Sequence, residues 1–105
     1  MFISVNQLAK SFDNVNREPA AFSLAQDIER LADIVDPFSY RDYVETEFGW
    51  DIAKSVNALY NDIVNGKADY IAAWLDGIIQ DPGTDPRDSD RAKNRLERYN
   101  KYKRG

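Results

Sequence analysis

Residues 51–80, DIAKSVNALYNDIVNGKADYIAAWLDGIIQ, carry the clearest apolar periodicity in the chain. Ile52, Val56, Leu59, Tyr60 and Ile63 recur at three- and four-residue steps, and Ile71, Trp74, Leu75, Ile78 and Ile79 do so again after a break. That period places one apolar stripe on each of two helices. The spacing predicts helices over about residues 51–65 and 68–80, closed and rejoined at Asn65-Gly66. So short a joint predicts a packed helical hairpin at the centre of the fold. Gly77, inside the second helix, predicts a close approach by another element, because Gly otherwise costs about 1 kcal/mol relative to Ala there.

Upstream, Ser4 and Gln7 stand at capping-box spacing, and Ile3 and Leu8 at hydrophobic-staple spacing. With Val5, Ala9 and Phe12 they predict a helix over about 5–13, ended by the polar run Asp13-Asn14-Val15-Asn16-Arg17. Pro19 suits the first turn of the next helix, about 20–35, with Phe22, Leu24, Ala25, Ile28, Leu31, Ala32 and Val35 inward. Asp27, Glu29, Arg30 and Asp33 are expected on its solvent side. Asp36-Pro37 caps and restarts the chain into a short helix, about 37–47, which Gly49 ends in a left-handed cap. Downstream, Asp81-Pro82-Gly83-Thr84-Asp85-Pro86 is read as loop, followed by a helix over about 89–103 capped by Asp88 or Ser89. The expectation is one all-α domain over residues 1–105, a bundle of five or six helices with no strand.

Composition narrows the chemistry. The chain has 105 residues, no Cys and no His. Without them there is no thiolate metal site, no disulfide, no Ser-His or Cys-His nucleophile pair and no imidazole base. The five glycines form no phosphate-binding loop. Asp81, Asp85, Asp88 and Asp90 crowd the last loop but lack EF-hand spacing, so they read as caps and solvated loop. The expectation is a non-enzymatic protein with no cofactor and no metal. No apolar run nears the ~18 residues of a membrane helix, and MFISVNQLAK lacks the basic and apolar regions of a signal peptide. A cytoplasmic protein without membrane contact, monomeric or homodimeric, is the simplest expectation.

Charge is uneven. Residues 87–105 sum to +5 and the rest of the chain to −9, for a net −4. Two candidate surfaces follow. One is the aromatic and acidic window after Asp36, with Tyr40, Asp42, Tyr43, Glu45, Glu47 and Trp50, whose aromatics read either as core or as interface anchors. The other is the basic face Arg91, Arg95 and Arg98. The last helix docks by Leu96 and Tyr99 with its charges solvated or paired to the acidic body, or grips nucleic acid with Tyr99 and Tyr102 stacking on bases, or binds an acidic protein surface. The acidic body itself can stand in for phosphate in a nucleic-acid channel.

From Asp36 onward, DPFSYRDYVE, NDIVNGKADYIAAWLDGII and AKNRLERYNKY resemble a small helical domain of accessory proteins from conjugative elements and prophages of gut Firmicutes. The matching positions are Asp36, Tyr40, Asp42, Val44, Glu45, Asp62, Ile63, Asn65, Gly66, Tyr70, Ile71, Trp74 and Leu75. The family carries an Arg-Glu segment where this chain has Phe48-Gly49-Trp50-Asp51-Ile52, and often Thr in place of Ala68. The resemblance implies a mobile-element setting. With it goes a likeness in size and acidity to anti-CRISPR and antirestriction inhibitors. It therefore implies a protein partner, a CRISPR effector nuclease or another defence protein, blocked by steric and electrostatic contact. A nucleic-acid-binding accessory protein using the basic C-terminal helix and a simple protein-interaction module are the alternatives.

Overall fold

A computed structural model of the chain describes residues 18–104, which form a small all-α bundle. Its helices are α1 (Pro19–Val35), α2 (Pro37–Phe48), α3 (Ile52–Val64), α4 (Asp69–Gln80) and α5 (Pro86–Arg104). The helix expected over 5–13 lies outside the described residues. Among the described residues there is no strand, and no helix is long and apolar enough to cross a membrane.

The local signals work as their chemistry requires. Asp36 accepts a hydrogen bond from Ser39 N–H at 3.2 Å, and Asp51 one from Lys54 N–H at 3.3 Å, so each satisfies a free donor at a helix start. Gly66 (φ 69°) ends α3 in a left-handed cap. Its N–H reaches Ile63 O at 3.2 Å, while Lys67 N–H reaches Asp62 O at 2.8 Å. This nested pair is the Schellman motif.

Helix α1 is the scaffold. Its stripe of Ala21, Leu24, Ala25, Ile28 and Leu31 is buried, and α2, α3 and α5 all pack on it. Helix α3 docks through Val56, Leu59 and Ile63 into the same cluster, joined by Ala68 and Tyr99. A second cluster joins Leu31, Leu75 and Ala92.

Three expectations need correction. First, α3 and α4 do not pack as a hairpin; α4 packs on α5 instead. Each helix has one apolar stripe, and the two are spent on different neighbours. Val56, Leu59 and Ile63 of α3 face α1, whereas Leu75, Ile78 and Ile79 of α4 face Ala92 and Leu96. Second, α5 starts at Pro86, with Asp85 Oδ1 accepting from Arg87 N–H at 2.8 Å. Asp85-Pro86 is the same cap-and-restart signal as Asp36-Pro37, so the residues read as loop include a helix start. Third, a Cβ added at Gly77 meets nothing within 4 Å, so no element among the described residues approaches there.

Candidate interaction site

Helix α2 gives the core a single residue, Val44. A twelve-residue helix with one buried side chain is bound to the domain mainly by polar pins. The tightest is Glu29. It is only 9% exposed, although the sequence pattern placed it on the solvent side. Its Oε1 accepts from Tyr40 O–H at 2.5 Å and from Ser55 Oγ–H at 2.7 Å, tying α1, α2 and α3 together. A buried carboxylate must be hydrogen-bonded to be tolerated, and these hydroxyls meet that need. Burial, reinforced by the Glu29 carboxylate, pushes the Tyr40 hydroxyl well above the ordinary tyrosine range. The Tyr43 hydroxyl is raised too, by burial and then by Glu29. Arg41 pairs with Asp33 of α1 at 3.3 Å.

Two grooves flank α2. On one side, α3 and α4 splay apart above α1 and leave a cleft of about 480 Å³. Ile28, Leu59, Ile71 and Trp74 line it, with Tyr40, Tyr43 and Tyr70 among its walls. Tyr70 O–H donates to Asp62 Oδ2 at 2.6 Å, and Tyr43 meets Phe48 edge-on at 5.5 Å between centroids. On the other side is a groove of about 460 Å³ lined by Phe38, Asp42, Glu45 and Trp50.

Trp50 is the strained residue. Its φ of 74° makes it the only non-glycine with positive φ among the described residues. It follows Gly49 (φ 58°), and the two left-handed residues fold the chain back over the end of α2. Gly49 N–H reaches Glu45 O at 3.0 Å, and Trp50 N–H reaches Val44 O at 3.2 Å. A bulky residue at positive φ is an outlier that costs of order 1–3 kcal/mol and clusters at functional sites. The indole gains little burial in exchange, since Trp50 is 58% exposed. Phe38 beside it is 88% exposed.

The candidate residues therefore divide. Asp42, Glu45 and Trp50 meet in one groove. Tyr40 and Tyr43 line the cleft on the other side, and Tyr40 serves as a structural pin. Glu47 is exposed and lines neither groove. Phe38, also exposed, completes the apolar part of this groove, while the exposed Ile52 lines a separate one with Tyr40 and Val56. Phe38 lies off the Tyr40–Val44 stripe, and that offset is the signal that separates it from core.

The basic face is used within the fold. Arg98 Nη1 pairs with Asp27 Oδ2 at 2.7 Å and Nη2 reaches Ser23 Oγ at 3.3 Å. Arg95 Nε donates to Asp27 O at 2.7 Å, and Arg91 pairs with Asp88 at 2.6 Å. Lys103 and Tyr99 both donate to Asp69 Oδ1, at 2.9 and 3.1 Å. The Arg95, Arg98, Lys103 and Tyr99 contacts clamp α5 onto α1 and onto the start of α4, whereas the Arg91–Asp88 pair lies within α5. Among the described residues, no group of three or more acids is placed to hold a metal ion. Asp81 and Asp85 instead accept backbone N–H bonds from Gly83 and Arg87.

No family model, curated protein or solved structure matches this chain.

Proposed function

We propose that this protein is a non-enzymatic, cytoplasmic protein-binding inhibitor. Its docking surface is the acidic, aromatic face formed by α2 and the turn after it. The carrying observation is the combination at Trp50: a strained backbone holding an exposed indole beside an exposed Phe38. Interfaces concentrate their binding energy in such aromatic anchors. Around them, residues 33–51 hold Asp33, Asp36, Asp42, Glu45, Glu47 and Asp51 against one cation, Arg41. That field suits a basic surface. The motifs shared with accessory proteins of mobile elements supply the class of target. It is a bacterial defence nuclease, most directly a CRISPR effector, whose nucleic-acid groove is basic. Inhibition is by occupation of that groove.

The basic-helix alternative is weaker. Of the arginines it needs to face phosphates, Arg95 and Arg98 are held by Asp27 of α1, and Arg91 pairs with Asp88 on the surface of α5.

Affinity capture from cells expressing CRISPR effectors, followed by a cleavage assay with purified nuclease, tests the proposal. The expected result is a complex and reduced cleavage, both lost in the F38A/W50A double variant. No bound effector and undiminished cleavage across the main effector types would sink it.

A further inference from the structure

We infer that the groove between Phe38 and Trp50 is a receptor for an arginine side chain presented by the partner, an inference that rests on the reading of α2 as the docking face. Phe38, Asp42 and Glu45 stand at i, i+4 and i+7 and so share one side of α2. The left-handed turn at Gly49 and Trp50 brings the indole back to the same groove. The result is a concavity of about 460 Å³ whose walls include Phe38, Trp50, two carboxylates and Arg41. No ion pair among the described residues involves Asp42 or Glu45, and the nearby cation, Arg41, pairs with Asp33.

A guanidinium matches this site better than the other charged groups. It is planar, weakly hydrated, stacks on aromatic faces and presents a donor fork to carboxylates. An ammonium is a compact, strongly hydrated point charge that gains less from stacking. An anion meets two carboxylates. A purely apolar side chain would bury those carboxylates unpaired. The same chemistry explains why the strain at Trp50 is kept: only the left-handed turn places an indole where a guanidinium on Asp42 and Glu45 can stack.

The full chain, isotopically labelled, is titrated with a short arginine–glycine peptide and with its lysine–glycine counterpart at two salt concentrations. The Trp50 indole N–H signal, the amides of residues 38–50 and the Trp74 indole are followed. The expected result is saturable movement at Trp50, Asp42 and Glu45 with Trp74 still. Affinity for the arginine peptide should exceed that for the lysine peptide by about threefold or more. D42N and E45Q should each weaken it about tenfold, as loss of a charge-assisted bond does. D76N, at an exposed acid of α4, is the control for net charge and should change it by less than about twofold.

Equal affinity for the two peptides, or an equal loss in D76N, would reduce the effect to diffuse electrostatics and overturn the inference. So would a Trp50 indole that does not move. F38A serves as a second probe that leaves every carboxylate in place, and it should also weaken binding. The underlying reading fails separately. A nuclease complex lost in F38A/W50A but indifferent to D42N and E45Q refutes the arginine receptor and leaves the docking face standing. Peptide binding without any nuclease complex does the reverse.

Discussion

Replacing Trp50 with Ala and with Gly gives a test in which the usual ranking of those two residues should invert. At an ordinary position Gly is less stable than Ala by about 0.5–1 kcal/mol, because it has more freedom to lose on folding. At φ 74° an Ala retains the left-handed strain, worth about 1–2 kcal/mol for a residue with a Cβ, and Gly does not. Both variants lose the same indole contacts, so that contribution cancels in the comparison. W50G should therefore exceed W50A in stability by about 0.5–1 kcal/mol. In urea, with a slope of about 1.5 kcal/mol per M, the midpoints should differ by about 0.3–0.7 M. The neighbouring Gly49, at φ 58°, supplies the opposite control: G49A should lose about 1 kcal/mol. Tryptophan fluorescence of the remaining Trp74 and far-UV circular dichroism report both curves. If W50A is as stable as W50G, the chain does not carry strain at this turn, and the case for a held indole goes with it.

Other perturbations probe the scaffold. Leu75 is 0% exposed and joins Leu31 and Ala92, so L75A should cost about 2–5 kcal/mol in denaturant unfolding. Trp74 is only half-buried, so W74A should fall below the 3–5 kcal/mol typical of a buried Trp. G77A should stabilise by about 1 kcal/mol, since the added methyl meets nothing and the helix gains propensity; a loss would mean that an element does approach there. Hydrogen bonds from Lys103 and then Tyr99 hold the Asp69 carboxyl below its ordinary 3.8. A depressed folded-state value contributes stability above 3.8 that disappears as pH falls through the lower folded value. Wild type should thus exceed D69N at neutral pH, with the gap closing below 3.8, as thermal melts across that range will read. On the alkaline side, burial and the Glu18 carboxylate push the Tyr102 hydroxyl up to about 12. A raised value contributes stability below the ordinary 10.0 that is lost as pH climbs toward 12, visible as tyrosinate absorbance rising together with unfolding.

The helices were legible because each is written twice, in apolar spacing and in punctuation. Asp36-Pro37, Gly49, Asp51 and Asn65-Gly66 mark boundaries that the backbone hydrogen bonds bear out. Pairing of helices was less legible. A short joint suggests that α3 and α4 lie side by side, but stripe direction decides, and periodicity does not say which neighbour a stripe meets. Ala68, fully buried, is the small residue at the joint that a sequence scan passes over. Glu29 was read as solvent-facing because its type is polar. Its burial depends on two hydroxyls, Tyr40 and Ser55, that lie far from it in sequence. At the candidate site, composition flagged the aromatic window but could not sort Tyr40, a pin to Glu29, from Trp50, an exposed indole. Nor does it mark a left-handed Trp, since that conformation follows from the wider turn at the end of α2. The arginines of α5 stood out as a charged face, and only the distances of Arg95 and Arg98 to Asp27 reveal a clamp.

A protein partner is expected to meet the α2 face and not the basic helix. Hydrogen–deuterium exchange of the full chain, alone and mixed with a purified CRISPR effector nuclease, measures this most directly. The expected result is new protection concentrated over residues 37–52, with α5 unchanged and the effect absent in F38A/W50A. Protection confined to residues 91–104, or none at concentrations that inhibit cleavage, would contradict it.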